Sequence, residues 1–272
     1  MSDIPDAPKG PIGRFLAASP DGVGKTIAVA VFICLLASMI VSVAAVSLRP
    51  IQAANSLVDK QRNILEVAGI YEPGIDIPEA FQAFEPRIVD LATGRYTDQF
   101  DPATFDDAAA ASDPELSVAL DSDPAGIGRK ALYRTVYLLN DDQGALERVI
   151  LPVHGYGLWS TLYGFIALAP NGNDILGLQF YQHGETPGLG AEVDNPRWRA
   201  LWSGKELRGD GGDGDLKITV AKGVPSSEME AHQIDALAGA TLTSVGVDNL
   251  VRFWMGEEGF GPYLENLREG GV

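Results

Sequence analysis

Leu132-Tyr133-Arg134-Thr135-Val136-Tyr137-Leu138-Leu139, then Asn140-Asp141-Asp142-Gln143-Gly144, then Leu-Glu-Arg-Val-Ile-Leu-Pro-Val over residues 146–153, is the stretch that decides the fold. Two runs rich in β-branched and aromatic residues flank a cluster of turn formers, which is the pattern of a β-hairpin. The pattern recurs at once: residues 162–169 and 175–182 flank Pro170-Asn171-Gly172-Asn173-Asp174, where Asn-Gly suits a tight connection. A fifth strand is predicted over 216–221. Asn195 followed by Pro196 reads as the N-cap and first position of a short helix carrying Trp198, Leu201 and Trp202. There is no internal repeat and no alternation of strand and helix. Sequential hairpins with helices before and after them define an α+β domain with a mostly antiparallel sheet.

Ahead of the sheet, residues 27–48, from Ile27 to Leu48, contain neither a charge nor a proline. A helix of that length spans roughly 33 Å, enough for a hydrocarbon core, and membrane lipid is its expected partner. The competing reading is a cleaved secretory signal with Val43-Ala44-Ala45 as its small-residue site, but a signal core runs only about 7–15 apolar residues. Charge does not decide the orientation, since Lys9, Arg14 and Lys25 on one side face Arg49, Lys60 and Arg62 on the other. Gly22-Val23-Gly24-Lys25-Thr26 is not a phosphate loop. That pattern needs a glycine where Ser19 stands, and a strand before it.

Residues 52–70 place Leu57, Ile64, Leu65 and Ala68 at helical spacing, and Pro50 could open that helix at its first turn. A short helix is expected over 78–90, with Phe81, Phe84 and Ile88 inward. Residues 98–123 hold eight acidic side chains and no basic one, which reads as a solvated, mobile excursion. Net charge is −17. Residues 1–26 carry three acidic and three basic groups and 27–48 none, so the whole excess lies beyond the apolar segment. Such a surface excludes nucleic acid as a partner and disfavours anionic lipid. Cys34 is the single cysteine, so this chain alone can build no disulfide and no cysteine-ligated zinc or iron–sulfur site.

Chemistry concentrates in Asp235-Ala236-Leu237-Ala238-Gly239-Ala240-Thr241-Leu242-Thr243-Ser244. Val247, Leu250, Val251 and Trp254 follow at i, i+3, i+4 and i+7, one apolar face of a helix for which Thr243 or Ser244 can serve as N-cap. Ala238-Gly239-Ala240 has almost no bulk, so a ligand could come close to the backbone. Thr241 then projects a hydroxyl at a helix entrance, where free N–H groups and the helix dipole favour an anion such as phosphate. The loop His183-Gly184-Glu185-Thr186-Pro187-Gly188-Leu189-Gly190 leaves the end of a predicted strand, and its glycines let backbone amides approach a ligand. His154, His183 and His232 share no ligand-like spacing. Asp210-Gly211-Gly212-Asp213-Gly214-Asp215 lacks the ligand order and closing Glu of a calcium loop. No Gly-x-Gly-x-x-Gly follows a strand, so a dinucleotide site is not expected.

The Asp235–Thr241 run resembles the flavinylation motif Asp-x-x-Ser/Thr-Gly-Ala-Thr, whose last Thr is esterified to the phosphate of FMN; here that residue is Thr241. Ala238 stands where the motif usually has Ser or Thr, which bears on recognition by the modifying enzyme and not on the acceptor. Taken with residues 183–198 and Gly155-Tyr156-Gly157-Leu158-Trp159-Ser160, the chain resembles the NqrC family of bacterial sodium-pumping NADH:quinone oxidoreductases over most of 150–263. The same FMN-binding domain family includes the flavoprotein subunit of Rnf-type ferredoxin:NAD complexes. The resemblance implies a flavin pocket in which Tyr156 and Trp159 lie near the isoalloxazine ring. Glu185, Thr186, Leu189 and Gly190 would line its other side or bond its polar edge. Lys222 would pair with the phosphate, and Leu242 and Thr243 would close the phosphate end.

The implied function is a redox-carrier subunit of a respiratory complex, with covalent FMN on Thr241 relaying electrons from NADH towards quinone, coupled to sodium translocation. NADH itself would be oxidised elsewhere. The implied partners are the other subunits, a flavin transferase that loads Thr241, and membrane lipid. Residues 1–26 would be a cytoplasmic tail and 27–48 a single span of the bacterial inner membrane. Residues 49–130 would be a helical and acidic-loop region of the periplasmic domain, and 131–272 the FMN-binding domain. Two alternatives stay open: the Rnf-type subunit, and a non-redox membrane-anchored assembly protein whose glycine-rich loops are only turns.

Overall fold

The computed structural model describes residues 22–271 and, before them, Gly10, Gly13, Phe15, Ala17 and Ser19. Lys9 and Arg14 of the expected cytoplasmic tail lie outside the described residues. The chain divides into two compact units, Met1–Leu57 and Val58–Val272. Helix α1, Val23–Val67, is one uninterrupted element of 45 residues, about 68 Å long and more than twice the thickness of a hydrocarbon core. In the first unit its apolar side chains face outward, with Phe32 66% and Met39 65% exposed. By length and composition this helix can cross a membrane. The separate helix expected to open at Pro50 does not exist, because α1 runs straight through that residue. Pro50 has no N–H to offer the Val46 carbonyl four residues earlier.

The second unit is built on a seven-stranded sheet in the order β2-β1-β5-β6-β7-β8-β9. Its strands are β1 Phe84–Asp90, β2 Arg95–Tyr96, β5 Tyr133–Asn140, β6 Leu146–Tyr156, β7 Thr161–Leu168, β8 Asp174–Gln182 and β9 Lys205–Glu206. Every pairing is antiparallel. Both expected hairpins are present as β5–β6 and β7–β8. These strands read as long apolar runs because both faces of the sheet are covered. On β5, Val136 and Leu138 point into one core while Tyr137 and Leu139 point into the other, as the two-residue period of a strand requires.

One face packs against the end of α1: Ile64 and Leu65, with Ala68 just past the helix, lie on Tyr137, Ile150, Phe165 and Ala167. A half-buried polar clasp reinforces this contact, with Gln179 donating to Asn63 Oδ1 at 2.5 Å and Glu66 Oε2 at 2.6 Å, and accepting from Arg199. The opposite face carries α5, Thr241–Met255, and α6, Gly261–Arg268. Val247, Leu250, Val251 and Trp254, the apolar stripe of the sequence pattern, are all at most 1% exposed there.

Three expectations need correction. Residues 78–90 are not a helix: a single turn, α2 Ile77–Ala80, gives way to a 3₁₀ turn and then to β1. Pro86 accounts for this, since it would break a helix interior but is tolerated on a strand where the neighbour is missing; β2 pairs only with Val89 and Asp90. Residues 98–123 are not a loose excursion. They contain α3, Asp107–Ser112, and β3, Ser117–Ala119, which pairs with β4, Arg129–Ala131. Five of their eight acids accept from backbone N–H groups: Asp101, Asp113 and Asp123 do so within the stretch and its following turn, Asp106 caps α3 by accepting from Ala108 and Ala109, and Asp107 Oδ1 accepts from the Thr135 amide of β5 at 2.9 Å. Finally, the strand expected over 216–221 shrinks to β10, Thr219–Ala221, and it leaves the main sheet to pair in parallel with β11, Gln233–Asp235. The expected short helix is α4, Pro196–Arg199, capped by Asn195; it carries Trp198 but ends before Leu201 and Trp202.

Helix α5 sits directly on the end of β6 at Gly246, where a Cβ would lie 2.5 Å from the Tyr156 carbonyl oxygen and 2.9 Å from Gly157 Cα. Gly246→Ala should therefore cost about 1–3 kcal/mol by overpacking. The thermal midpoint of the detergent-solubilised protein measures this; a midpoint equal to wild type would show that α5 can lift off β6 without penalty.

Candidate functional site

Three chain segments meet beside the first turn of α5. The first is the β6–β7 turn, Gly157 to Ser160, closed by a Gly157 N–H bond to the Ser160 carbonyl at 2.9 Å. The second is the glycine-rich loop after β8. Its Thr186 carbonyl accepts from both Leu189 and Ala191 at 3.1 Å, and Gly188 adopts a positive φ of 73°. The third is the small-residue stretch between β11 and α5.

Glu185 joins them. It is 5% exposed, and its Oε1 accepts from the Leu158 and Trp159 amides at 2.9 Å each. Its Oε2 accepts from Thr243 Oγ1 at 2.7 Å. Burial alone would push the Glu185 carboxyl up, but the Thr243 hydroxyl and the amides of Trp159, Leu158 and Ser160 outweigh it and hold the group below its ordinary value. Gly190 is obligatory beside this junction, because a Cβ there would run into Glu185 Oε2 and Thr243 Oγ1.

The helix begins one turn earlier than its sequence pattern suggests. Thr241 is its first residue, the N-cap is Ala240, and no side chain caps it. Neither Thr243 nor Ser244 is the cap. Thr243 is fully buried on Glu185, and Ser244 Oγ donates to the Ala240 carbonyl at 3.0 Å while accepting from the Leu237 amide at 2.9 Å. Ser244 thus folds the small-residue stretch back over the helix start, and Gly239, at φ 77°, lies against Leu189. The result is an exposed Thr241 at an uncapped helix N-terminus, where backbone donors and the helix dipole both favour negative charge.

Lys222 completes the arrangement. It follows β10, whose Val220 amide donates to Asp248 Oδ1 of α5 at 2.7 Å. That bond sets β10 against the helix, and Lys222 Nζ donates to Thr241 Oγ1 at 2.7 Å. Around the pair lies an unusual concentration of exposed apolar surface: Tyr156, Trp159, Leu189 and Leu242 are between 45% and 66% exposed. Leu158 and Val245 extend this rim. A patch of this kind on a well-packed domain marks a place where something binds.

The structure therefore brings the expected residues together, but not in one role. Thr241 and Lys222 touch, and Tyr156, Trp159, Leu189 and Leu242 form the rim, with Thr186 exposed beside it. Glu185, Gly190 and Thr243 lie beneath. The Glu185 carboxylate and the Thr243 hydroxyl bond each other, and so brace the segments beneath the exposed rim. Asp248 escaped the sequence reading, as did the bracing role of Ser244 and the rim positions of Leu158 and Val245. Asp248 alone carried a signal, as an acid set between Val247 and Leu250 on an otherwise apolar stretch of helix. The histidines are scattered: His183 pairs with Asp194, His232 with the Glu206 carbonyl, and His154 packs on Trp254 and Tyr163. Burial, with Arg134 adding to it, pushes His154 down to about 3, so its ring is neutral at physiological pH.

A surface threonine at an uncapped helix start, held by a lysine and ringed by apolar and aromatic side chains, has the donor set for a phosphate joined to a flat aromatic system. Residues 157–256 match the FMN-binding domain family, which makes this a flavin-binding protein fold. The chain is 52% identical over 261 residues to the NqrC subunit of the Na(+)-translocating NADH-quinone reductase of Pseudomonas aeruginosa, covering 93% of this chain and 99% of that one. It is 46% identical to the same subunit from Yersinia pestis, covering 93% and 96%. The crystal structure of Shewanella oneidensis NqrC superposes with a TM-score of 0.70 at 36% identity, covering 78% of this chain and 97% of that one. The chain belongs to the NqrC family of Na(+)-translocating NADH-quinone reductase subunits.

Because Glu185 has a lower pKa folded than unfolded, its contribution to stability is present above the unfolded value, about 4.3 for Glu, and is lost as pH falls through the folded value. Glu185→Gln should lower stability by about 1–3 kcal/mol at neutral pH, since one oxygen acceptor is replaced by a donor. It should also flatten the acid limb. Urea midpoints of both proteins between about pH 3 and pH 7 measure this, and parallel curves would remove Glu185 from the acid sensitivity.

Proposed function

We propose that this chain carries FMN as a phosphoester on Thr241 and relays electrons within a membrane-bound NADH:quinone oxidoreductase that moves sodium. The observation that carries the assignment is selective exposure. Three hydroxyls lie within four residues; Thr243 is fully buried and Ser244 is 2% exposed, both with their protons committed, while Thr241 alone is open to solvent. A modifying enzyme can reach only that one. Lys222 is then beside the ester phosphate as a compact positive charge, and the uncapped turn of α5 offers it N–H donors. Tyr156, Trp159, Leu189 and Leu242 supply apolar and aromatic surface for the ring.

When bound, FMN supplies the redox chemistry. The chain's own residues hold position. Glu185 keeps the 157–160 turn and α5 at fixed spacing, Gly190 and Gly246 let those segments close up, and Asp248 keeps Lys222 next to Thr241. An ester tether means that the cofactor does not leave between turnovers. In this reading residues 27–48 span the inner membrane, the N-terminus is cytoplasmic and the domain beyond is periplasmic. The other subunits and a flavin transferase are its partners.

The acceptor is tested by flavin fluorescence on a denaturing gel after co-expression with a flavin transferase. Thr241→Ala should lose the band, Thr241→Ser should retain part of it, and Thr243→Ala should keep it. A band surviving in Thr241→Ala would move the attachment elsewhere. For the topology, a C-terminal reporter active only outside the cytoplasm should be on; activity of a cytoplasm-only reporter at that end would reverse the orientation.

A further inference from the structure

Lys222 meets the Thr241 hydroxyl itself, and this bears on how the ester forms. A threonine hydroxyl has one proton and two lone pairs. Lys222 Nζ, 2.7 Å away, donates into one of these lone pairs. An ammonium group can only donate, so the Thr241 proton cannot point at Lys222 and must be directed elsewhere. Thr241 and Lys222 are both exposed, so the remaining lone pair and the proton are accessible from solvent. The two neighbouring hydroxyls have the opposite disposition, since each gives its proton to an internal acceptor.

We propose that Lys222 positions and polarises Thr241 for its own modification, acting on the hydroxyl before and during ester formation and not merely pairing with the phosphate afterwards. The inference rests on the reading of Thr241 as the attachment residue. An ester to a flavin phosphate needs a donor with a leaving group, which chemically means a flavin dinucleotide with a phosphoanhydride. Thr241 Oγ1 attacks the flavin-side phosphorus and forms the new O–P bond. The anhydride P–O bond breaks and the nucleoside monophosphate departs with that electron pair. The hydroxyl proton passes to a base of the transferase or to water, and nothing is oxidised or reduced. As the O–H bond weakens, negative charge grows on Oγ1 and on the phosphoryl oxygens. Lys222 already stands where that charge appears, as do the free amides at the uncapped start of α5, and preorganised donors of this kind stabilise a transition state without reorganisation.

The experiment uses full-length, detergent-solubilised, unloaded protein with a purified flavin transferase, magnesium and flavin adenine dinucleotide. The rate of fluorescent adduct formation is followed at several acceptor concentrations. Lys222→Gln should lower kcat by roughly a hundred-fold, the effect of removing one preorganised donor, with KM for the acceptor and the thermal midpoint unchanged. Lys222→Arg should recover part of kcat, because it restores a cationic donor. Intact mass should show the same flavin phosphate adduct wherever loading occurs. A Lys222→Gln variant that loads at the wild-type rate overturns the proposal, as does a loss carried by KM or by a lowered thermal midpoint, which would make Lys222 a docking or structural residue. Protein that stays unlabelled both as wild type and as Ala238→Ser, which restores the usual motif residue, overturns the Thr241 reading itself. An adduct on wild type and an equal rate in Lys222→Gln refutes only the role of Lys222.

Discussion

Glu185 receives two backbone amides from the β6–β7 turn and a hydroxyl from α5 on one buried carboxylate, and the rest of the site depends on that convergence. Each donor would be costly to leave unpaired in a buried setting. The carboxylate therefore ties the exposed Trp159 on one segment to the helix start on another. Gly190 must be a glycine because the junction is this tight, and Gly157 for the same reason, since a Cβ there would lie 2.6 Å from Glu185 Oε1. Gly-rich segments that read as ligand-approach loops are here, in part, the space that a buried acid needs.

The same junction explains how the fold tells apart residues that are chemically alike. Thr241, Thr243 and Ser244 differ little in intrinsic reactivity. Helix geometry puts residues 241 and 243 about 200° apart around the axis, so when Thr243 turns inward to Glu185, Thr241 turns outward to Lys222. Ala238 belongs to the outward group as well. Its methyl faces solvent and contributes nothing to the core. Any consequence of this departure from the motif falls on the enzyme that reads the surface.

Much of this was legible in the sequence, and the misreadings have physical causes. The β5–β6 and β7–β8 hairpins were visible because Asn, Asp and Gly clusters interrupt apolar runs of strand length. Helix α5 was visible through its apolar stripe, yet its start was misplaced. Threonine and serine near a helix start suit both an N-cap and a buried hydrogen bond, and the choice between them rests on Glu185, more than fifty residues away. Phe81, Phe84 and Ile88 mimic helical spacing by chance, and Pro86 was the better guide. The acids of 98–123 do lie on a solvated surface; what composition does not reveal is which carboxylates accept backbone N–H groups and so give the stretch its order. Lys222 beside Thr241 could not be read from spacing at all, since it depends on Asp248 holding β10 and on a parallel pairing that no local pattern announces.

The sheet also separates two tasks. Residues 58–67 of α1 pack on the face formed by Tyr137, Ile150, Phe165 and Ala167, whereas α5 packs on the face formed by Val136, Leu138, Val149 and Leu151. Alternate residues of the same strands serve the two sides, so Phe165 supports the helix that leads to the apolar segment while Ile166 supports the helix that carries Thr241. A one-residue slip in any central strand would exchange the two faces. The antiparallel register therefore does more than stabilise the domain. It keeps residues 58–67 away from the exposed rim of Tyr156, Trp159, Leu189 and Leu242, the surface on which the proposed flavin site depends.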